Sequence, residues 1–181
     1  ETVFDHRADA RSDCRQAVGF GLPAAAGCGR DDCGLDAVGG SHVFYLDADD
    51  QVIPGGLLHL HDALLANPRA GLAVGASIQR ARDGDTLKMP GRYGEDRREN
   101  ARKYLGNELR SITVGSALVA VREATAFRFP ERIQLDEDTC YWAALLTRAG
   151  VVTIATPVMR YNLDEVRMAQ RFVSRPRRVF L

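Results

Sequence analysis

Between Val43 and Gly56 the chain reads VFYLDADDQVIPGG, a bulky apolar run that passes directly into Asp47, Asp49 and Asp50 and then into a Pro-Gly turn. A short run with no polar alternation predicts a strand covered on both faces, which is the usual state of a parallel strand in an α/β sheet. The carboxyl ends of such strands are where open α/β sheets bind ligands, and here that end is acidic. In extended chain, residues i and i+2 share a face. Asp47 and Asp49 are therefore expected to point the same way and to hold one hard divalent cation, leaving coordination positions for phosphate oxygens.

Strand-like and helix-like segments alternate along the rest of the chain, which predicts an α/β fold. Residues 2–5 read as a first strand, 12–20 as a helix and 21–29 as a loop rich in small residues. Leu57, Leu58, Leu60, Leu64 and Leu65 recur at helical spacing, and Asn67-Pro68 stops that helix. Residues 72–78 read as a strand followed by a turn at Asp83-Gly84-Asp85. The polar stretch 88–110 reads as a connection carrying a surface helix over 97–105. Residues 112–121 read as a strand interrupted at Gly115-Ser116, where backbone can approach a ligand. Tyr141, Trp142, Leu145 and Leu146 mark a helix ending at Gly150, with Asp136, Glu137 and Asp138 at its start. A last, edge-like strand follows over 151–156, and 160–181 is an arginine-rich, partly apolar arm.

At 181 residues and 45% apolar content, the chain is long enough to bury a core as one domain. Its 24 basic and 24 acidic residues cancel, so the overall charge gives no reason to expect a nucleic-acid partner. No apolar run reaches the ~20 residues that span a bilayer, and the acidic amino-terminal stretch is unlike a signal peptide, so a cytoplasmic location is expected. Four uneven cysteines suit free thiols better than a disulfide framework; Cys28, Cys33 and His42 match no CxxC zinc pattern. His59 and His61, on a leucine-rich helix, suit solvent or core-edge positions better than metal ligation.

The segment Tyr45-Leu46-Asp47-Ala48-Asp49-Asp50, followed by Pro54-Gly55, resembles the DxD block of inverting family-2 glycosyltransferases of the GT-A fold. Glu137-Asp138-Thr139-Cys140-Tyr141-Trp142 is similar to that family's ED-x-x-(F/Y)-W motif, and the two blocks stand in the family's order. Residues 1–9 resemble its second strand and VVDDGSTD loop, with Asp5 and Asp9 at the outer acids. Residues 30–40 resemble its ARNxGLxxAxG segment, beginning at Arg30. The family's first strand has no counterpart. The expectation that follows is a sheet edge at the amino terminus open to a partner chain, as in a homo-oligomer.

The resemblance implies a GT-A-like (Rossmann-like) mixed, mostly parallel sheet flanked by helices over residues 1–159. The nucleotide-sugar side would lie within 1–80 and the acceptor side within 81–159. It implies donor contacts from Asp5, Asp9, Arg30 and Asp47, and Mn²⁺ or Mg²⁺ held by Asp49 and Asp47 with Asp50 in support. Asp138 would be the catalytic base, assisted by Glu137, and Gly115, Ser116 and Trp142 would lie on the acceptor side. The donor would be a nucleotide-diphosphate sugar, a UDP-sugar by family habit. The acceptor would be a saccharide, a lipid-linked or a small-molecule hydroxyl, with peripheral membrane contact open to the basic arm.

Two other classes fit parts of the pattern. A haloacid-dehalogenase-like phosphatase also places a DxD after an apolar strand, but it wants a Thr, Ser or Val shortly after the second Asp, where Gln51 follows Asp50. A GT-A-like binding module without catalysis would account for the absent first strand, but it has no need of carboxylates in both blocks.

Overall fold

The computed structural model describes residues 15–20, 40–47, 49–130 and 137–162. Within them lie seven strands: β1 (Arg15–Phe20), β2 (His42–Asp47), β3 (Gln51–Val52), β4 (Ala70–Ala81), β5 (Gly84–Lys88), β6 (Ala117–Ala120) and β7 (Gly150–Asn162). The helices are α1 (Gly56–Ala66), α2 (Arg97–Leu105), the single turn α3 (Val121–Ala124) and α4 (Glu137–Leu146). The strands form one sheet in the order β1-β2-β6-β4-β7-β3, with β5 continuing beside β4.

Strand alternation explains how this sheet divides the core. On β2, Val43 and Tyr45 face one side and Phe44 the other; on β4, Leu72 and Val74 oppose Ala73; on β6, Val119 opposes Leu118. The first set packs with Tyr141, Trp142, Leu145 and Leu146 of α4 and with Ala101 and Tyr104 of α2. The second set packs with Leu60 and Leu64 of α1 and with Val158 and Met159 of β7. The fold is thus mixed α/β, with helices on both faces of the sheet.

The sheet is not mostly parallel, as the sequence led us to expect. Only β4 and β7 run parallel; β2 is antiparallel to both β1 and β6, and β4 is antiparallel to both β5 and β6. Burial on both faces produces an uninterrupted apolar run whichever way the neighbours point, so the run in β2 reports coverage and not direction.

Four local expectations also change. Residues 15–20 are a strand, since pairing along the whole length of β2 outweighs local helical preference. The strand expected over 112–121 is reduced to β6. Thr113 and Ser116 close a turn before it, with the Ser116 amide donating to the Thr113 carbonyl at 2.9 Å. β7 lies inside the sheet, between β4 and β3, and does not stop before Pro157. The register shifts there, with Gly75 opposite Ile154 and Ala76 opposite Pro157, so a bulge accommodates the missing N–H. Residues 160–162 consequently belong to β7, and the arm drawn from 160 to 181 begins inside the sheet.

The helices fall where periodicity placed them. α1 follows Gly55, whose φ of +79° needs glycine, and it sits so close to β7 that a Cβ on Gly56 would lie 2.6 Å from the Val158 carbonyl oxygen. α2 starts at an Asp96 cap that accepts from the Glu99 amide at 3.0 Å.

Candidate functional site

β2 delivers its acids to a corner beside β7. The chain does not stay extended after Asp47: the Asp50 amide donates to the Asp47 carbonyl at 3.1 Å, closing a turn before β3. The alternation argument for Asp47 and Asp49 therefore gives way to turn geometry, which leaves Asp49 exposed and tucks Asp50 half inside. β3 then pairs with β7 at Met159 and Arg160. Just beyond that pairing, Asn162 clamps the corner. Its amide donates to Asp50 Oδ1 at 3.3 Å and its side-chain Nδ2 donates to the Asp49 carbonyl.

Asp50 carries the electrostatic mark of this arrangement. Burial is the main cause that pushes its carboxyl up from the ordinary 3.8 to about 7; the Asn162 amide opposes this, and the charges of Asp47 and Asp49 add to it. Asp50 Oδ2 is buried with no hydrogen-bond partner among the described residues.

The second acidic block reaches the same corner through an aromatic clamp. Tyr45, two residues before Asp47, meets Tyr141 Oη to Oη at 3.0 Å. Tyr141 stacks on Phe129 with ring centroids 4.1 Å apart, and Tyr45 meets Phe129 edge-on at 5.2 Å. The amino end of α4, with Glu137 and Asp138 in its first turn, is thereby tied to the carboxyl end of β2. Asp138 Oδ1 accepts from the Thr139 amide at 2.7 Å.

Tyr161 is where the blocks meet. Its phenol is pushed up first by burial and then by the charges of Asp50, Asp49, Asp47 and Asp138. Carboxylates of both blocks thus act on one side chain.

Tyr161 also lines a cavity of about 290 Å³. Ser116 lies on the wall of this cavity, with its Oγ donating to the Thr113 carbonyl at 2.7 Å. Gly115 is needed for a different reason from ligand approach: its φ is +85°, and a Cβ there would meet Met159 Cε at 2.9 Å and Leu46 Cδ1 at 3.3 Å. Trp142 is fully buried among core side chains, with Nε1 unpartnered among the described residues, so it forms core and not cavity wall. Asp5, Asp9 and Arg30 lie outside the described residues, as do Asp136, Cys28 and Cys33. Cys140 is exposed and free. His42 meets His61 edge-on at 5.3 Å, at the opposite end of β2 from the corner.

Tyr161 and Asn162 were not singled out by the sequence. Both stand where the pattern suggested a surface arm, and nothing local to them signals that a bulged β7 carries them to the corner.

No group of three His, Cys, Asp or Glu side chains among the described residues is arranged to hold a metal by itself. In Mg²⁺ sites one or two carboxylates commonly share the ion with ligand phosphates. The exposed Asp49 and the unpartnered Oδ2 of Asp50 are donors of the right hardness for such a shared site. No helix among the described residues is long and apolar enough to cross a membrane. Comparison with known proteins adds no family: no family model matches the chain, and no curated protein matches it significantly.

Proposed function

We propose that this protein transfers a sugar from a nucleotide-diphosphate sugar to an acceptor hydroxyl, with inversion, on a GT-A-like sheet. The observation that carries the reading is the contact between the two motifs that resemble family-2 glycosyltransferases: Tyr45 of the first meets Tyr141 of the second Oη to Oη at 3.0 Å, and acids of both act on Tyr161.

Asp49 and Asp47 would hold Mn²⁺ or Mg²⁺ together with the donor's diphosphate, and Asp50, positioned by Asn162, would support them. A divalent cation supplies Lewis-acid stabilisation of the negative charge on the departing phosphate. Across the sugar, Asp138 accepts the proton of the acceptor hydroxyl as its oxygen bonds to the anomeric carbon. The bond from that carbon to the phosphate oxygen breaks, and its electron pair leaves with the nucleoside diphosphate. Glu137 orients Asp138 or the acceptor. Attack from the side opposite the leaving group inverts the anomeric centre in one displacement.

Calorimetry with UDP, GDP, CDP and dTDP, with and without Mn²⁺, tests the donor side. Metal-dependent binding of one nucleotide, lost in Asp49→Ala, is the expected result. A folded protein that binds none of them would remove the reading and leave a module without donor chemistry.

A further inference from the structure

The wall of the cavity beside Tyr161 carries two cations, Lys88 and Arg110, and among the described residues no carboxylate. Lys88 closes β5 directly opposite Ser77 of β4, and Tyr161 of β7 stands opposite Gln79 on the other side of β4. Ser77 and Gln79 are two apart on β4 and share a face, and both line the cavity. Adjacent strands lie about 4.8 Å apart, so the strands carrying Lys88 and Tyr161 are separated by about 10 Å. Residues 89–91 bring the second cation alongside: a Cβ on Gly91 would lie 3.4 Å from the Arg110 backbone nitrogen.

Among the described residues no carboxylate pairs with Lys88 or Arg110, whereas Arg80, Arg102, Arg122 and Arg148 each have a carboxylate within ion-pair distance. Ser77 is 5% exposed and stands in the cavity wall. A hydroxyl at a cavity wall that also carries two cations is suited to an oxygen-rich anion.

We propose that this cavity is an acceptor subsite for a sugar-sized molecule bearing a phosphate or carboxylate. Lys88 and Arg110 bind the anion, and Ser77 and Gln79 bind its hydroxyls. The identification of the ligand as the acceptor rests on the glycosyl-transfer reading, while the anion site itself does not. A volume of about 290 Å³ fits one sugar ring with its charged substituent, at the lower end of ordinary ligand pockets. The separation of about 10 Å lets the anion sit beside Lys88 while the ring reaches toward Tyr161.

Glucose 6-phosphate, glucuronate and glucose serve as probes, with binding to the intact chain followed by calorimetry and by chemical-shift changes at Ser77, Gln79 and Tyr161. An anionic sugar should bind about tenfold or more tightly than glucose, the scale of a charge-assisted hydrogen bond. Which anionic sugar binds better separates phosphate from carboxylate. The preference should vanish in the double variant Lys88→Gln/Arg110→Gln and survive in Lys88→Arg/Arg110→Lys. Equal binding of glucose, or a preference that persists in the Gln variant, overturns the proposal. Nucleoside-diphosphate binding, measured on the same samples, reports separately on the transfer reading. If it is absent while the anion preference remains, the anion site stands and its role as an acceptor subsite falls.

Discussion

Glu99 on α2 and Asp50 at the corner after β2 are both acids among other charges, and their surroundings move them in opposite directions. Glu99 accepts from Arg102 Nε at 2.8 Å and Nη2 at 2.9 Å, and Lys103 Nζ lies 3.6 Å away. The Arg102 hydrogen bonds hold its carboxyl down to about 2. Asp50 has acids for neighbours and no ion pair among the described residues; burial drives its carboxyl up to about 7. The surface helix supplies its own cations to Glu99. The corner half-buries one carboxyl beside the charges of two others, an arrangement that makes chemical sense where positive charge arrives with a ligand.

The sharpest way to break this contrast is to remove the carboxylate assigned to proton transfer. Asp138→Asn should lower sugar transfer by about 10²- to 10⁴-fold, the usual contribution of a general base, while nucleoside-diphosphate affinity is unchanged. Transfer assays with calorimetry on the same variant check it, and full activity would remove Asp138 from the mechanism. Next in size is Asp49→Ala, which should weaken Mn²⁺-dependent nucleotide binding by about 10- to 100-fold, the scale on which metal sites respond to lost support. If binding weakens equally without metal, Asp49 is a direct ligand contact and not a metal ligand.

Asp50→Asn should alter stability and not merely binding. A carboxyl whose folded pKa is raised holds its proton better in the native state. Its contribution is fully present below the ordinary value of 3.8 and is lost as pH rises through about 7. The amide cannot ionise and keeps the acceptor for the Asn162 amide. At pH 8 the variant should therefore be more stable than the parent by on the order of 1–2 kcal/mol, a figure discounted for the carboxyl's partial exposure. Near pH 4 the two should be equal by urea unfolding, and a less stable variant at pH 8 would count against burial as the dominant cause. The smallest effect belongs to Glu99→Gln. Its partners are exposed and screened, so the melting temperature at pH 7 should scarcely move, and high salt should erase what difference there is. A large loss there would dissolve the contrast between a solvated charge network and a functional one.

Periodicity located most of the elements because it reports on burial. α1 and the apolar face of α4 stand where apolar spacing placed them, α2 fills the surface helix read over 97–105, and β2 is covered on both sides as its composition required. The misreadings occurred where another segment decides the outcome. Arg15–Phe20 is a strand because β2 offers it a partner. β7 passes Pro157 because β4 tolerates a bulge there. At the site, the acids of both motifs were visible as residue types, but Tyr161, Asn162, Lys88 and Arg110 carry no local signal. Two of them lay in the supposed arm and two in a connection read as solvated surface.

Composition and spacing alone determined that this chain makes a two-sided α/β core and that acids follow its most apolar strand, because apolar burial and local capping are written residue by residue. Tertiary structure decided the direction of the strands, the turn that separates Asp49 from Asp50, and the contact of Tyr45 with Tyr141 that ties the two acidic blocks together. Those features depend on pairings between segments far apart in sequence, whose hydrogen bonds use backbone groups common to every residue and therefore leave little trace in the amino-acid pattern.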